Sequence, residues 1–216
     1  MKSCYQLFCF FLCWVSLPIG YAQNISEHVV LSVGTPFSYP LDQTVNWCIT
    51  ELTSGKVLRN GSGPIRRLLF EIPGTYQIDI EEELGYDPTT CNHPRYPAEI
   101  TIEVSPFHME FDFTTIRLSR EIIGGQAVDG QTLSVDVAFR AYRSDTVAYE
   151  VQPVKSVGIG TTIVGVPLQE RMVFRPGVNT IVYQLHGQAH SSSYIMFDFI
   201  DINNQVQVYS LPQKIK

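Results

Sequence analysis

The chain has 216 residues, with 15 Lys and Arg against 21 Asp and Glu, for a formal charge of −6. This acidity, without any lysine- or arginine-rich block, excludes the electrostatic footprint of a nucleic-acid binder. The length admits one or two domains, each able to bury a core of its own.

The N-terminus is laid out as a secretory signal. Lys2 is the positive start, residues 7–19 are a short apolar core, and Gly20-Tyr21-Ala22 puts small residues where a signal peptidase reads them. Cleavage after Ala22 leaves Gln23 as the first mature residue, and loss of Lys2 makes the chain one unit more acidic. A retained anchor is disfavoured, because the apolar core is shorter than the ~20 residues that span a bilayer and Pro18 interrupts it. No later segment is long and apolar enough to span, so the expectation is a soluble exported protein, periplasmic or at the cell surface. Cys4, Cys9 and Cys13 fall inside the leader and are read as signal-core residues, because Cys4 after Ser3 comes too early and Phe8 and Leu12 before the other two are not the small residues lipidation needs; a lipoprotein is the alternative. The mature chain keeps Cys48 and Cys91, which are expected to pair in an oxidising compartment.

Further along the chain, Trp47 and Cys48 are adjacent, so in a strand their side chains point to opposite faces. Trp47 is expected in the core and Cys48 outside, tied to Cys91 in the proline-rich loop 87–97. Closing that span is a chain-entropy gain of roughly 4 kcal/mol. Asn24-Ile25-Ser26 and Asn60-Gly61-Ser62 fit the glycosylation acceptor pattern, which matters in a eukaryotic host. In residues 76–83, Tyr76, Ile78 and Ile80 alternate with Gln77, Asp79 and Glu81, the period of a half-buried strand. Asp79, Glu81 and Glu83 are read as the wet side of that strand rather than as an acid and base pair, because nothing separates their pKa values.

Residues 98–104 read as a closing strand, and Ser105-Pro106 is the expected boundary between domains 23–104 and 105–216. Beyond it, Phe107, Met109, Phe111 and Phe113 interleave with His108, Glu110 and Asp112, and Leu133, Val135, Val137 and Phe139 with Ser134, Asp136 and Ala138. Pairs such as Asn60-Gly61, Pro73-Gly74, Gly124-Gly125, Asp129-Gly130 and Pro176-Gly177 punctuate the runs. The fold class is therefore all-β: two tandem Ig-like β-sandwich domains after a cleaved signal peptide. The stretch 69–78 resembles 173–185: each is a strand end, a Pro-Gly turn, then a strand carrying a tyrosine, as at the corner of an Ig-like sandwich. In residues 154–162, Gly158 and Gly160 interrupt the β pattern and allow a bulge or the close approach of another backbone. This segment is the candidate partner-contact loop, with an ordinary hairpin as the alternative.

The C-terminal motifs read as turns. His186 and His190 are four apart, but in a strand that spacing is ~13 Å, too far to share an ion unless Gly187 bends the chain. Ser191-Ser192-Ser193 lack a nucleophile elbow and read as a hairpin tip. Asp198, Asp201, Asn203 and Asn204 carry oxygens suited to calcium, yet Asx residues favour turns by bonding their own backbone. No catalytic residue, cofactor site or metal site is expected.

The first domain resembles PKD-type and related bacterial Ig-like modules, on Val45-Asn46-Trp47, Pro73-Gly74-Thr75-Tyr76-Gln77-Ile78 and the closing strand 98–104. The second resembles the TraQ-type proteins of Bacteroidetes conjugative transposons, on Pro106-Phe107, Gly130-Gln131-Thr132, Gly158-Ile159-Gly160 and the run from Asp201 through Asn204-Gln205. The chain departs from that family in its extra N-terminal sandwich and in lacking a lipidation site. The resemblance implies a non-enzymatic envelope protein that contacts other envelope proteins and is associated with a conjugation apparatus. A surface adhesion or carbohydrate-binding module is the alternative, and PKD-like domains often accompany such modules.

Overall fold

The computed structural model describes residues 26–82, 95–143, 145–190, 194–211 and 215. The leader with Cys4, Cys9, Cys13 and its cleavage point at Gln23 lies outside them, as do Glu83, Cys91 and Ser191-Ser192-Ser193. The described residues form strands, turns and irregular connections without a helix. The protein is all-β.

The N-terminal half contains β1 (Ser26–Ser32), β2 (Pro36–Tyr39), β3 (Asn46–Glu51), β4 (Lys56–Ser62), β5 (Ile65–Leu69), β6 (Gly74–Glu81) and β7 (Glu99–Ser105). They form a five-stranded sheet in the order β1-β7-β6-β3-β4 and a two-stranded sheet β2-β5. β1 runs parallel to β7, while the other pairs are antiparallel. Alternation sets the core: Trp47 and Ile49 of β3, Tyr76, Ile78 and Ile80 of β6, and Ile100, Ile102 and Val104 of β7 turn inward onto Phe37, Ile65 and Phe70.

The C-terminal half contains β8 (Phe107–Leu118), β9 (Thr132–Ala141), β10 (Val147–Glu150), β11 (Val154–Val157), β12 (Val164–Pro167), β13 (Arg171–Phe174), β14 (Gly177–His186), β15 (Met196–Ile200) and β16 (Val206–Ser210). Seven of these make one antiparallel sheet, ordered β16-β15-β11-β12-β14-β9-β8, and β10 pairs with β13 as a ribbon. The long sheet folds over on itself through β12, so β8-β9-β14 face β11-β15-β16 as in a sandwich. Phe199 on β15 consequently lies 5.0 Å, ring to ring, from Phe111 on β8 and 5.9 Å from Tyr183 on β14. Phe139, Phe174, Phe197 and Phe199 are sealed from solvent in this core.

Pro106 alone separates β7 from β8, and each hydrophobic core keeps to its own side of it. Across the junction, the Asn203 side-chain amide donates to Ser32 Oγ at 3.0 Å and to the Phe107 carbonyl at 2.9 Å. A cleft of about 350 Å³ opens beside the linker, between Ile72 and Pro73 on one side and Phe107, Ala141 and Tyr142 on the other.

Candidate functional site

The register of β11, β14 and β15 carries the 158–162 segment to the end of the molecule far from the junction. There it is woven into its neighbours. Thr162 N–H donates to the Gln188 carbonyl, His190 N–H to Gly160, Val128 N–H to Gly187 and Gly125 N–H to Ala189, all between 2.7 and 2.9 Å. Gly158 and Gly160 take φ of +154° and +71°, and a Cβ on either would collide: with the Tyr194 carbonyl oxygen at 2.5 Å, or with His190 Nδ1 at 2.6 Å. The close approach that the glycines permit is thus made by this chain's own backbone and imidazole. Between them, Ile159 is 92% exposed.

Gly187 does bend the chain, with φ +103°. The bend takes the two histidines to different neighbours, His186 Nδ1 to Asp129 Oδ1 at 3.5 Å and His190 to the face of Gly160. Among the described residues no three His, Cys, Asp or Glu side chains converge on a point where an ion could sit.

The Asp201 region is a turn whose oxygens are already engaged. Asp201 is 5% exposed. Its Oδ1 accepts from the Asn203 and Gln205 backbone N–H groups at 2.8 and 2.9 Å, and its Oδ2 accepts from Gln207 Nε2 at 3.2 Å. Asn204 adopts a left-handed φ of 58°, which Asn tolerates better than most residues. The Tyr149 hydroxyl points at the carbonyls of Ile200 and Asp201, at 3.0 and 3.2 Å. Burial, reinforced by the Asp201 carboxylate, pushes that hydroxyl up to about 12. Asp198 stands apart from this turn, on the outward face of β15.

Gln207 performs the step that shapes this half. Its side-chain amide donates to the Met109 carbonyl at 2.8 Å and accepts from Phe111 N–H at 3.0 Å, as a neighbouring strand's peptide group would. It thereby ties β16 to β8, the two ends of the folded sheet. With Gln207 and Tyr209 turned inward, Val206 and Val208 must face water, at 56% and 49% exposure. Val157 and Met196 are cross-strand neighbours on the same outward face, continuous at its far end with Ile159 and Tyr194. Alternation alone would turn the β16 valines inward, so a reading of the sequence misses this strip.

In the N-terminal half, Trp47 is buried and its Nε1–H donates to the Gly63 carbonyl at 2.9 Å, with the Arg59 guanidinium 6.0 Å from the ring centre. Cys48 faces the other way, half-buried in a cleft with Asn60 across on β4 and Asp79 across on β6. It is a free thiol among the described residues, and its expected partner Cys91 lies outside them. Asp79 accepts from Gln77 Nε2 at 2.6 Å, and Asp79 and Glu81 line the solvent side of β6.

Compared with models of protein families, the chain matches none. Compared with curated proteins, it has no significant match either, so the PKD-type and TraQ-type resemblances stand on the residues that carry them.

Proposed function

We propose that this is an exported, non-enzymatic binding or assembly protein of a bacterial cell envelope, associated with conjugative transfer, whose contact surface is the outward face of β11, β15 and β16. The observation that carries this reading is the contiguous run of exposed Val157, Met196, Val206 and Val208 on the outward face of β11, β15 and β16. Isolated exposed apolar residues are ordinary, whereas a connected patch on a folded β-sheet marks a surface that another protein covers. The tightly stitched Gly158–Gly160 loop presents Ile159 at the end of the same strip. The class of partner, other envelope proteins, comes from the TraQ-type resemblance. The carbohydrate-binding alternative has less support. Among the described residues the exposed aromatics are Tyr142, at the junction, and Tyr194, at the far end, so they do not share a stacking platform.

The test is deletion of the gene from its element, followed by measurement of transfer to a recipient and complementation with Met196→Asp/Val208→Asp. Loss of transfer in the deletion, rescued by the natural chain and not by the double variant, is expected. Unchanged transfer in the deletion strain removes the conjugation assignment. Full rescue by a folded double variant removes this face from the contact.

A further inference from the structure

We propose that the exposed strip is an isologous interface, in which two copies of this chain pack face to face across a two-fold axis running along the strands between β11 and β15. The inference rests on the reading of that face as a contact surface, and it commits the occupant to a second copy.

The first ground is self-complementarity. A surface patch that meets itself across a two-fold axis must present each group opposite one it can pair with. In the β11–β15 ladder Lys155 stands opposite Asp198 and Val157 opposite Met196, all four on the outward face. A two-fold axis between these strands exchanges the members of each cross-strand pair. Lys155 of one copy then meets Asp198 of the other, twice, and Val157 meets Met196, twice. The next strands out follow the same rule. Val208 is level with Asp198 on β16, and Val164 is level with Lys155 on β12. The axis brings those two valines together, and likewise Val206 and Val166 one row nearer the junction. An axis across the strands would instead set Lys155 against Lys155, so the charges choose the first arrangement.

The second ground is size. Val157, Met196, Val206, Val208 and Val166, with Ile159 and Tyr194 at the end, are each between 39% and 92% exposed. Together they leave open on the order of 500 Å² of largely apolar surface, at the upper end of what a typical monomer exposes in one patch. With a polar rim this approaches the roughly 800 Å² per partner of a standard stable interface. The single cation and single carboxylate at its centre also match the depletion of charge in interface cores.

The experiment is the mass of the exported full chain in solution, by analytical ultracentrifugation from low micromolar to high micromolar concentration. The natural chain is expected at twice the chain mass, dissociating on dilution. Val208→Asp should give a single chain at every concentration, with an unchanged β-type circular dichroism spectrum. Lys155→Glu places only carboxylates at the axis and should raise the dissociation constant about tenfold or more. Lys155→Asp/Asp198→Lys restores opposite charges and should bring it back. A natural chain that stays single throughout overturns the proposal, and so does a dimer indifferent to both Val208→Asp and Lys155→Glu. If the natural chain is single while Met196→Asp/Val208→Asp still abolishes transfer, the face contacts a different protein and the two-fold arrangement alone falls.

Discussion

The five-stranded sheet of the N-terminal half ends on two open strands, whereas the end strands of the C-terminal sheet are drawn back together. β4, at the open end, is exposed along its whole length and carries Lys56 and Arg59, and the β3–β4 register slips between Ile49 and Thr50. Charge and an irregular register are how natural sheets keep an edge from recruiting another strand. β8 and β16 need no such device on their facing sides, because Gln207 occupies the ladder positions at Met109 and Phe111. The difference teaches that one inward-facing amide can close a folded sheet, and that the closure has a cost on the other face. The residues either side of Gln207 are pushed into water, and they are valines.

The largest expected contrast lies in the two cores. Phe199→Ala removes a ring packed against Phe111, Phe113 and Tyr183 and should destabilise the C-terminal half by about 3–5 kcal/mol. Ile78→Ala should cost the N-terminal half about 2–5 kcal/mol. Because the two cores do not share residues, hydrogen exchange should show each variant loosening mainly its own half. Equal loosening of both halves by either variant would show that they fold as one unit.

A smaller effect tests the seam. Gln207→Leu leaves the Met109 carbonyl, the Phe111 N–H and Asp201 Oδ2 each short of a partner, for a loss of about 1–3 kcal/mol in urea unfolding. Gln207→Glu keeps an acceptor for Phe111 but loses the donor to Met109 and sets a second carboxylate beside Asp201, so it should be no better than leucine. A stable, unchanged glutamate variant would mean that the seam is held by packing of Phe113 on Tyr209 instead.

The finest contrast is between the two corners. Tyr76 lies three residues after Pro73, and its hydroxyl donates to the Ile72 carbonyl at 2.7 Å. Asn179 lies three residues after Pro176, and its Nδ2 donates to the Arg175 carbonyl at 2.8 Å, while its Oδ1 accepts from Arg175 N–H at 3.1 Å. The repeated Pro-Gly stretch thus keeps one back-bond to the residue before the proline and changes the side chain that makes it. Tyr76→Phe should cost about 0.5–1.5 kcal/mol. Asn179→Ala, at a more exposed corner, should cost no more, and calorimetry on both variants measures the ratio.

The sequence expected a tyrosine at both corners, and the structure puts Tyr183 in the core, 1% exposed, with Asn179 in the tyrosine's place. The reason is spacing: Tyr183 is seven residues beyond Pro176, four too many to fold back onto the turn. Where local chemistry was decisive, the sequence was sufficient. Alternation with period two is a property of each strand alone, so the all-β class and the inward rows of β6, β8 and β9 followed directly from it. So did the opposed faces of Trp47 and Cys48, and the Asx turn at Asp201. Strand order, the folding-over of the seven-stranded sheet and the inversion of β16 depend on contacts between residues some 96 positions apart, such as Phe111 and Gln207. Such contacts leave no periodic trace. They are selected only when several strands compete for the same backbone donors and acceptors, and that competition is settled in three dimensions.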